Sequence, residues 1–391
     1  MIELEKYFNK VCFDDIKFSQ DTNGFVRWGD RLIVNKEGEA FPKIDKSIEI
    51  AIIGVEEDRN AINNKGCSLS ANKVREYFYQ LYPQDDKIKI IDLGNLKQGN
   101  QVKDTYFALA DVMKDLFERM ILPIVIGGSN DVAIGAYKGY ANIGQIINIF
   151  NLDARFDLIS DTEPTTNENF LHEILCSEPN YLFDYTHAGY QTYFVDNNAL
   201  KLLDNLRFER LRLGEIQSNL EAVEPMVRDA DMVMIDMNCV RASDSPCSSS
   251  PHGLYGEQLC KIVNYAGMSD KLSSICFFEN NPTKDVNDRS SQIIAHSLYY
   301  FIDGYLWRKN DFPYRDKENY YKFNVLIDNE DIVFYKSKKS DRWWVEVPCS
   351  SETRIKYLHH YLVPCTYQDY VCATNGEVPD RWLIAYKKMN L

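Results

Sequence analysis

The stretch QIINIFNLDARFD, residues 145–157, decides the fold of this chain. Its apolar run at 146–150 predicts a strand that is buried on both faces of a parallel sheet. Three charged residues, Asp153, Arg155 and Asp157, follow where that strand ends. In open parallel α/β sheets, ligands bind in the crevice beyond the carboxyl ends of the strands. The sequence therefore places a candidate functional site at this edge.

Apolar strands alternate with helical patterns on both sides of this stretch. The other strands of the sheet are predicted at residues 48–55, 89–93, 122–126, 193–195, 211–213, 231–236 and 273–278. The alternation predicts a three-layer α/β/α domain with a mainly parallel sheet over residues 46–310. Residues 1–45 are interpreted as an N-terminal extension. Residues 311–391 are interpreted as an aromatic-rich C-terminal extension with short antiparallel strands at 331–335 and 343–347.

Charge and composition exclude several functions. The 44 Lys and Arg residues are outnumbered by 58 Asp and Glu residues, so the net charge is -14. Non-specific binding to nucleic acid is therefore disfavoured, because no basic face is available to neutralise phosphates. No apolar run approaches the roughly 20 residues needed to cross a bilayer, so no membrane span is predicted. The N-terminus lacks the apolar core of a signal peptide, which predicts a cytoplasmic protein whose ten scattered cysteines are reduced.

Four short polar segments follow predicted strands: GGSN at 127–130, DARFD at 153–157, IDMN at 235–238 and ENNP at 279–282. Their order, spacing and strand-end placement resemble the ureohydrolase family of arginases, agmatinases and formimidoylglutamases. The resemblance covers roughly residues 47 to 308. Two segments, NFLHEIL at 169–175 and GLYGEQLCKIVNYAG at 253–267, are most similar in sequence to the formimidoylglutamase branch.

This resemblance implies an arginase-like fold and a site for two manganese ions that activate water against a guanidino or formimino carbon. Three positions depart from the family's motifs. Asn130 and Arg155 stand where the family has histidines, and Asn238 stands where it has an aspartate. The three acids that remain, Asp153, Asp157 and Asp236, match ligands of one of the two ions.

The resemblance leaves two interpretations of the cofactor open. Three carboxylates at a buried edge repel one another, and the Arg155 guanidinium is a cation that can bind two of them. The favoured interpretation is therefore a site without a cofactor, in which Arg155 and Asn238 replace the metal. The alternative is one hard ion, Mn²⁺, Mg²⁺ or Ca²⁺, held by the three acids with the side-chain oxygen of Asn130.

Two further residues match the family less closely. Glu279 matches an acid that meets the positive group of the substrate, although a strand-end acid can also cap a helix or pair with an arginine. His172 lies near the place of a proton-shuttling histidine, although it can equally be an ordinary histidine on the surface of a helix.

These observations are compatible with three functions. The favoured one is a ureohydrolase relative with an impaired or inactive site that acts as a binding or scaffold protein. The second is an active metal-dependent amidinohydrolase of the formimidoylglutamase or arginase type. A ligand sensor is the third. The family also implies a homo-oligomer, and the aromatic C-terminal extension is predicted to pack between subunits or to bind another protein.

Overall fold

The computed structural model describes residues 2–14, 24, 26–85, 87–158, 164–314, 317–328 and 330–390. Ten strands of this described part form one sheet. Their bounds are β1 Phe8–Asn9, β2 Ile33–Val34, β3 Ile50–Val55, β4 Ile90–Leu96, β5 Leu122–Ile126, β6 Ile147–Leu152, β7 Leu182–Tyr190, β8 Glu209–Arg212, β9 Met232–Asp236 and β10 Ser274–Phe278.

The sheet is parallel in all of its pairings except one. Its strand order is β1-β4-β3-β5-β10-β9-β6-β7-β8, and β2 also pairs with β4. The exception is the antiparallel pair of β1 with β4. The mainly parallel sheet predicted from the sequence is therefore confirmed.

Helices cover both faces of the sheet. The helices are α1 Trp28–Arg31, α2 Ser70–Phe78, α3 Val102–Glu118, α4 Ala133–Asn142, α5 Phe170–Leu175, α6 Asn197–Asn205, α7 Leu213–Ser218, α8 Glu224–Asp229, α9 Gly256–Met268, α10 Arg289–Leu306, α11 Ser351–Lys356, α12 Tyr367–Thr374 and α13 Asp380–Asn390. No described helix has both the length and the apolar character that crossing a membrane requires.

Alternate residues of the strands pack into two separate hydrophobic cores, one on each face of the sheet. In β3, for example, Ile52 packs with residues of α2, α9 and α10, whereas Ile53 packs with residues of α3, α4 and α5. Every residue of β3 is buried, because helices lie on both sides of it. The predicted three-layer arrangement is confirmed.

Two predictions about the strands are corrected. Residues 1–45 are more than an extension ahead of the sheet, because they contain β1 and β2, and both of these strands pair with β4. The strand predicted at 193–195 is instead a short 3-10 turn, Thr192–Phe194, and the long strand β7 comes before it. The polar residues Asp184 and His187 interrupt the apolar pattern of β7, and this hid the strand from a periodicity argument.

The C-terminal residues form a second, antiparallel sheet. Its strands, in the order in which they pair, are β11 Tyr320–Ile327, β12 Glu330–Ser337, β13 Trp343–Glu346 and β14 Leu362–Cys365. Trp343 and Trp344 are buried in the core of this sheet and its helices, so they do not form an exposed aromatic patch. Contacts of this C-terminal unit with another protein or subunit stay a prediction, as does the domain boundary near residue 310.

The C-terminal unit contacts the amino ends of the strands of the large sheet. Glu209, the first residue of β8, accepts a hydrogen bond of 2.9 Å from Arg381 Nε, and Asp184, near the beginning of β7, pairs with Lys388. Arg228 of α8 donates to two carbonyl oxygens of the second sheet, each at 3.2 Å. The C-terminal unit therefore lies at the end of the sheet opposite to the carboxyl ends of the strands.

Candidate functional site

The four polar segments found in the sequence meet at one edge of the sheet. They follow β5, β10, β9 and β6, which are neighbours in that order. Asp236 is the last residue of β9, and Asp153 and Glu279 are the first residues after β6 and β10. Parallel strands bring their carboxyl ends together, so residues far apart in the sequence become neighbours.

Three carboxylates form the centre of this site. One oxygen each of Asp153, Asp157 and Asp236 lies within 4.8 Å of the others. The three residues are only 1%, 5% and 4% exposed. Asp157 has a φ of 45°, in the left-handed region that aspartate tolerates better than most residues.

Amide N–H groups hold all three carboxylates in place. Asn130 Nδ2 donates to Asp157 Oδ2 at 3.0 Å and to Asp236 Oδ2 at 2.7 Å. The backbone N–H of Asn238 donates to Asp236 Oδ1 at 2.6 Å. Asp153 Oδ1 accepts the backbone N–H of Arg155 at 3.0 Å. In contrast, no N–H or hydroxyl group of the described residues donates to the buried Asp153 Oδ2.

Burial and mutual repulsion raise the pKa of all three acids. The pKa of Asp153 is well above its usual range because of burial, and the charges of Asp236 and Asp157 add to the effect. Burial, followed by the charge of Asp236, raises the pKa of Asp157 to about 8. Burial also raises the pKa of Asp236 to about 6, against the hydrogen bonds that it accepts. Such a cluster is a candidate site for a cation, because a positive charge relieves both effects.

The sequence predicts that the Arg155 side chain bridges the acids, but in the structure it does not. Its guanidinium carbon lies 4.3 Å from the centre of the Phe194 ring, and the described residues include no ion pair between Arg155 and the three aspartates. Attraction to the aromatic face competes with the carboxylates for this guanidinium. Arg155 still lowers the pKa of Asp236, but its effect is smaller than that of burial.

Glu279 is buried and held by three N–H donors. Its carboxylate accepts Asn64 Nδ2 at 2.8 Å, the backbone N–H of Asn130 at 2.8 Å and Asn167 Nδ2 at 3.3 Å. Sequence reasoning missed both Asn64 and Asn167. Asn64 lies 215 positions before Glu279, and no motif or periodicity links the two. Through these contacts Glu279 fixes the turn that presents Asn130 to the acids.

His172 lines a different part of the molecule. Its Nε2 lies 3.5 Å from Cys176 Sγ at the end of the same helix, α5. Both residues line a cavity of about 670 Å³ that also includes residues of α3 and α4 and none of the three aspartates. The structure therefore places His172 at a cavity that the three aspartates do not line, and the proton-shuttling role that the resemblance implies stays a prediction.

Another histidine, His187, lies directly behind the acidic loop. Its Nε2 is 3.1 Å from the carbonyl oxygen of Asp153, and its Nδ1 is 2.8 Å from the Tyr185 hydroxyl. The Phe156 ring packs edge-on against it at 4.5 Å. Burial lowers the pKa of His187 to about 3, so the folded protein keeps this imidazole neutral.

His187 is expected to make the protein sensitive to acid. Between pH 6.5 and 3 the unfolded chain binds a proton at this position that the folded chain does not bind, so stability falls as the pH falls through this window. From pH 7 to pH 5 the loss is about 2 kcal/mol. Urea unfolding of His187→Gln at the two pH values should show a smaller difference than the unmodified protein. The exposed His252, changed to Gln, is the control, and an unchanged pH difference in His187→Gln would refute this role.

A cavity of about 660 Å³ begins next to the acidic loop. Gln191, which lines it, donates its backbone N–H to the carbonyl oxygen of Ala154 at 3.1 Å. Arg212, Arg241 and His252 line the same cavity. Glu215 also lines it and pairs with Arg212 at 3.3 Å, so the cavity carries charges of both signs close to the acidic loop.

The fold and the site together define the class of protein. The chain matches the arginase family over residues 48–302, and it belongs to that family. Within the family it is similar to formimidoylglutamases. It is 28% identical over 287 residues to the formimidoylglutamase of Staphylococcus haemolyticus, a match that covers 68% of this chain and 89% of the relative. It is 26% identical over 302 residues to that of Hahella chejuensis, covering 71% of this chain and 90% of the relative.

Solved structures share the fold. The formimidoylglutamase of Bacillus subtilis has a TM-score of 0.65 at 17% identity, covering 76% of this chain and 98% of that one. The formiminoglutamase of Trypanosoma cruzi, crystallised with Mn²⁺, has a TM-score of 0.64 at 16% identity, covering 72% and 99%. The predicted arginase-like fold and the resemblance to formimidoylglutamases are confirmed.

The expectation of a site without a cofactor is corrected. A solved relative with this fold contains Mn²⁺, and the present chain keeps a buried cluster of three metal-ligating carboxylates. The error came from assigning the Arg155 guanidinium to the centre of the cluster, where it does not lie.

Proposed function

We propose that this protein is a divalent-cation-dependent hydrolase that cleaves a C–N bond of a formimino or guanidino amino acid, with formimidoylglutamate as the first candidate substrate. The observation that carries this proposal is the buried cluster of Asp153, Asp157 and Asp236 at the edge of the sheet. Relatives named formimidoylglutamase cover most of the domain that contains it.

The residues of the cluster fit a hard cation. Asp153 Oδ2 is a buried acceptor with no N–H or hydroxyl donor of the described residues, and a cation supplies the missing charge. Rotation of the Asn130 amide would add a neutral oxygen to the carboxylates. Oxygen donors of this kind suit Mn²⁺ and Mg²⁺. A bound cation would act as a Lewis acid and lower the pKa of water.

The surrounding residues would orient this centre and shield it from bulk solvent. Asn130 and Asn238 hold Asp236 through N–H groups, and Glu279 in turn holds the backbone of Asn130. Phe156 and the neutral His187 close the site from behind. Arg212 and Arg241 line the neighbouring cavity, and they would bind the carboxylates of an amino-acid substrate in exchange for their present partners, Glu215 and Asp244.

The decisive experiment measures product release. Protein stripped with EDTA and reloaded with Mn²⁺ is incubated with formimidoylglutamate, arginine and agmatine, and formamide and urea are quantified. We expect formamide from formimidoylglutamate, and a decrease of at least ~10³-fold in kcat/KM for Asp236→Asn. Asp204→Asn, which changes an exposed acid of α6, serves as the matched control. The absence of any product from metal-loaded protein would reject the proposal.

A second candidate is a catalytically impaired relative that binds a ligand or a protein. It is favoured by Arg155 and Asn238, which stand at two positions where the resemblance implies metal ligands. This hypothesis predicts metal-loaded protein without turnover and a thermal shift with a guanidino or amino-acid ligand. The cytoplasmic location and the homo-oligomer likewise remain proposals.

A further inference from the structure

We infer that the acidic cluster binds one divalent cation per chain rather than a pair. This inference rests on the proposed function only in using the same cation site. It concerns how many ions the residues of this chain hold, and which residues set that number.

Three carboxylate oxygens of the cluster, one from each aspartate, lie within 4.8 Å of one another. Asp236 Oδ1 and Asp153 Oδ1 accept backbone N–H groups at 2.6 and 3.0 Å. The buried Asp153 Oδ2 has no N–H or hydroxyl donor among the described residues. A single cation between the carboxylates would supply the positive charge that this oxygen lacks.

Within the part of the chain that the structure describes, the residues next to the aspartates do not provide a second set of ligands. Arg155 lies between Asp153 and Asp157 in the loop, and a guanidinium has only N–H donors. Its side chain lies over the Phe194 ring, with 4.3 Å between the guanidinium carbon and the ring centre. Asn238 holds Asp236 through its backbone N–H, and its neutral amide would bring no negative charge to a second ion. His187, the histidine behind the loop, faces a carbonyl oxygen and a tyrosine hydroxyl instead of the acids.

The test is a count of bound ions. The EDTA-stripped protein is titrated with Mn²⁺ by calorimetry, the product is weighed by native mass spectrometry, and the electron paramagnetic resonance spectrum is recorded. We expect one Mn²⁺ per chain and the six-line spectrum of an isolated ion. Two ions per chain, a spin-coupled spectrum or no binding would each overturn the inference.

Variants test the assignment to Arg155 and Asn238. The double variant Arg155→His with Asn238→Asp is expected to take up a second Mn²⁺ per chain. Arg155→Lys keeps the charge without adding a ligand, and it should stay at one. A double variant with native circular dichroism that still binds one ion would refute the role of these two residues.

The count is independent of turnover. One bound ion without product release would defeat the proposed function and leave this inference intact. Product release from a protein that holds two ions would support the proposed function and refute this inference.

Discussion

Replacing Asp153 with asparagine is expected to stabilise the metal-free protein and to abolish its stabilisation by Mn²⁺. The substitution removes one of three buried carboxylates that repel one another, and it removes the oxygen for which the described residues provide no N–H or hydroxyl donor. We expect a gain of about 1–3 kcal/mol in the free energy of unfolding in EDTA. The amide keeps the shape of the side chain and its acceptor for the Arg155 N–H. Thermal unfolding with EDTA and with excess Mn²⁺ measures both effects.

The control is the same change at a buried acid that already has a cation. Asp92 accepts hydrogen bonds from Arg75 Nε at 2.8 Å and Arg75 Nη2 at 2.9 Å, deep in the core. Asp92→Asn is expected to destabilise the protein by about 3–5 kcal/mol, because it leaves the guanidinium unpaired. If Asp153→Asn in EDTA were destabilising to a similar extent, the three aspartates would have to be held by interactions other than those described above.

Breaking the ion pair between Arg381 and Glu209 is expected to destabilise the protein strongly. Arg381 Nε and Nη2 lie 2.9 and 3.2 Å from the two carboxylate oxygens, and both side chains are largely buried. Arg381→Met and Glu209→Leu should each cost about 3–5 kcal/mol, because each leaves a buried charge without its partner.

The double variant Arg381→Met with Glu209→Leu should recover most of that loss, because two apolar side chains of similar size replace the pair. Chemical unfolding of all four proteins gives the coupling energy. Mn²⁺ affinity should be unchanged throughout, since the pair lies at the amino end of β8. Additive losses in the double variant, or a large change in Mn²⁺ affinity, would contradict this description of the C-terminal unit.

Local patterns predicted the sheet and the central acids. The run at 146–150 is apolar because both faces of β6 are buried, and a polar residue directly after such a run must lie at the sheet edge. Asp153 and Asp236 could therefore be placed near each other from strand patterns alone. The identity of a cofactor could not be settled in this way, because the direction of the Arg155 side chain depends on Phe194, which is distant in the sequence.

The remaining features depend on contacts between distant residues. Glu279 is held by Asn64, and Asp184 in β7 is paired with Lys388, 204 positions away. A charged residue in a strand looks like a break in the pattern until its partner is known. The same reason explains why β7 and the docking of the C-terminal unit were not predicted.

The contacts at the amino ends of the strands are separated from the acidic cluster. The ion pairs that tie the C-terminal unit to β7 and β8 are a full strand length away from the carboxyl ends that carry the acids. A changed side chain in the acidic loop therefore leaves these ion pairs untouched. Variants at Asp153 or Arg155 can be compared with one another on a constant architecture, so that differences in cation binding report on the pocket itself.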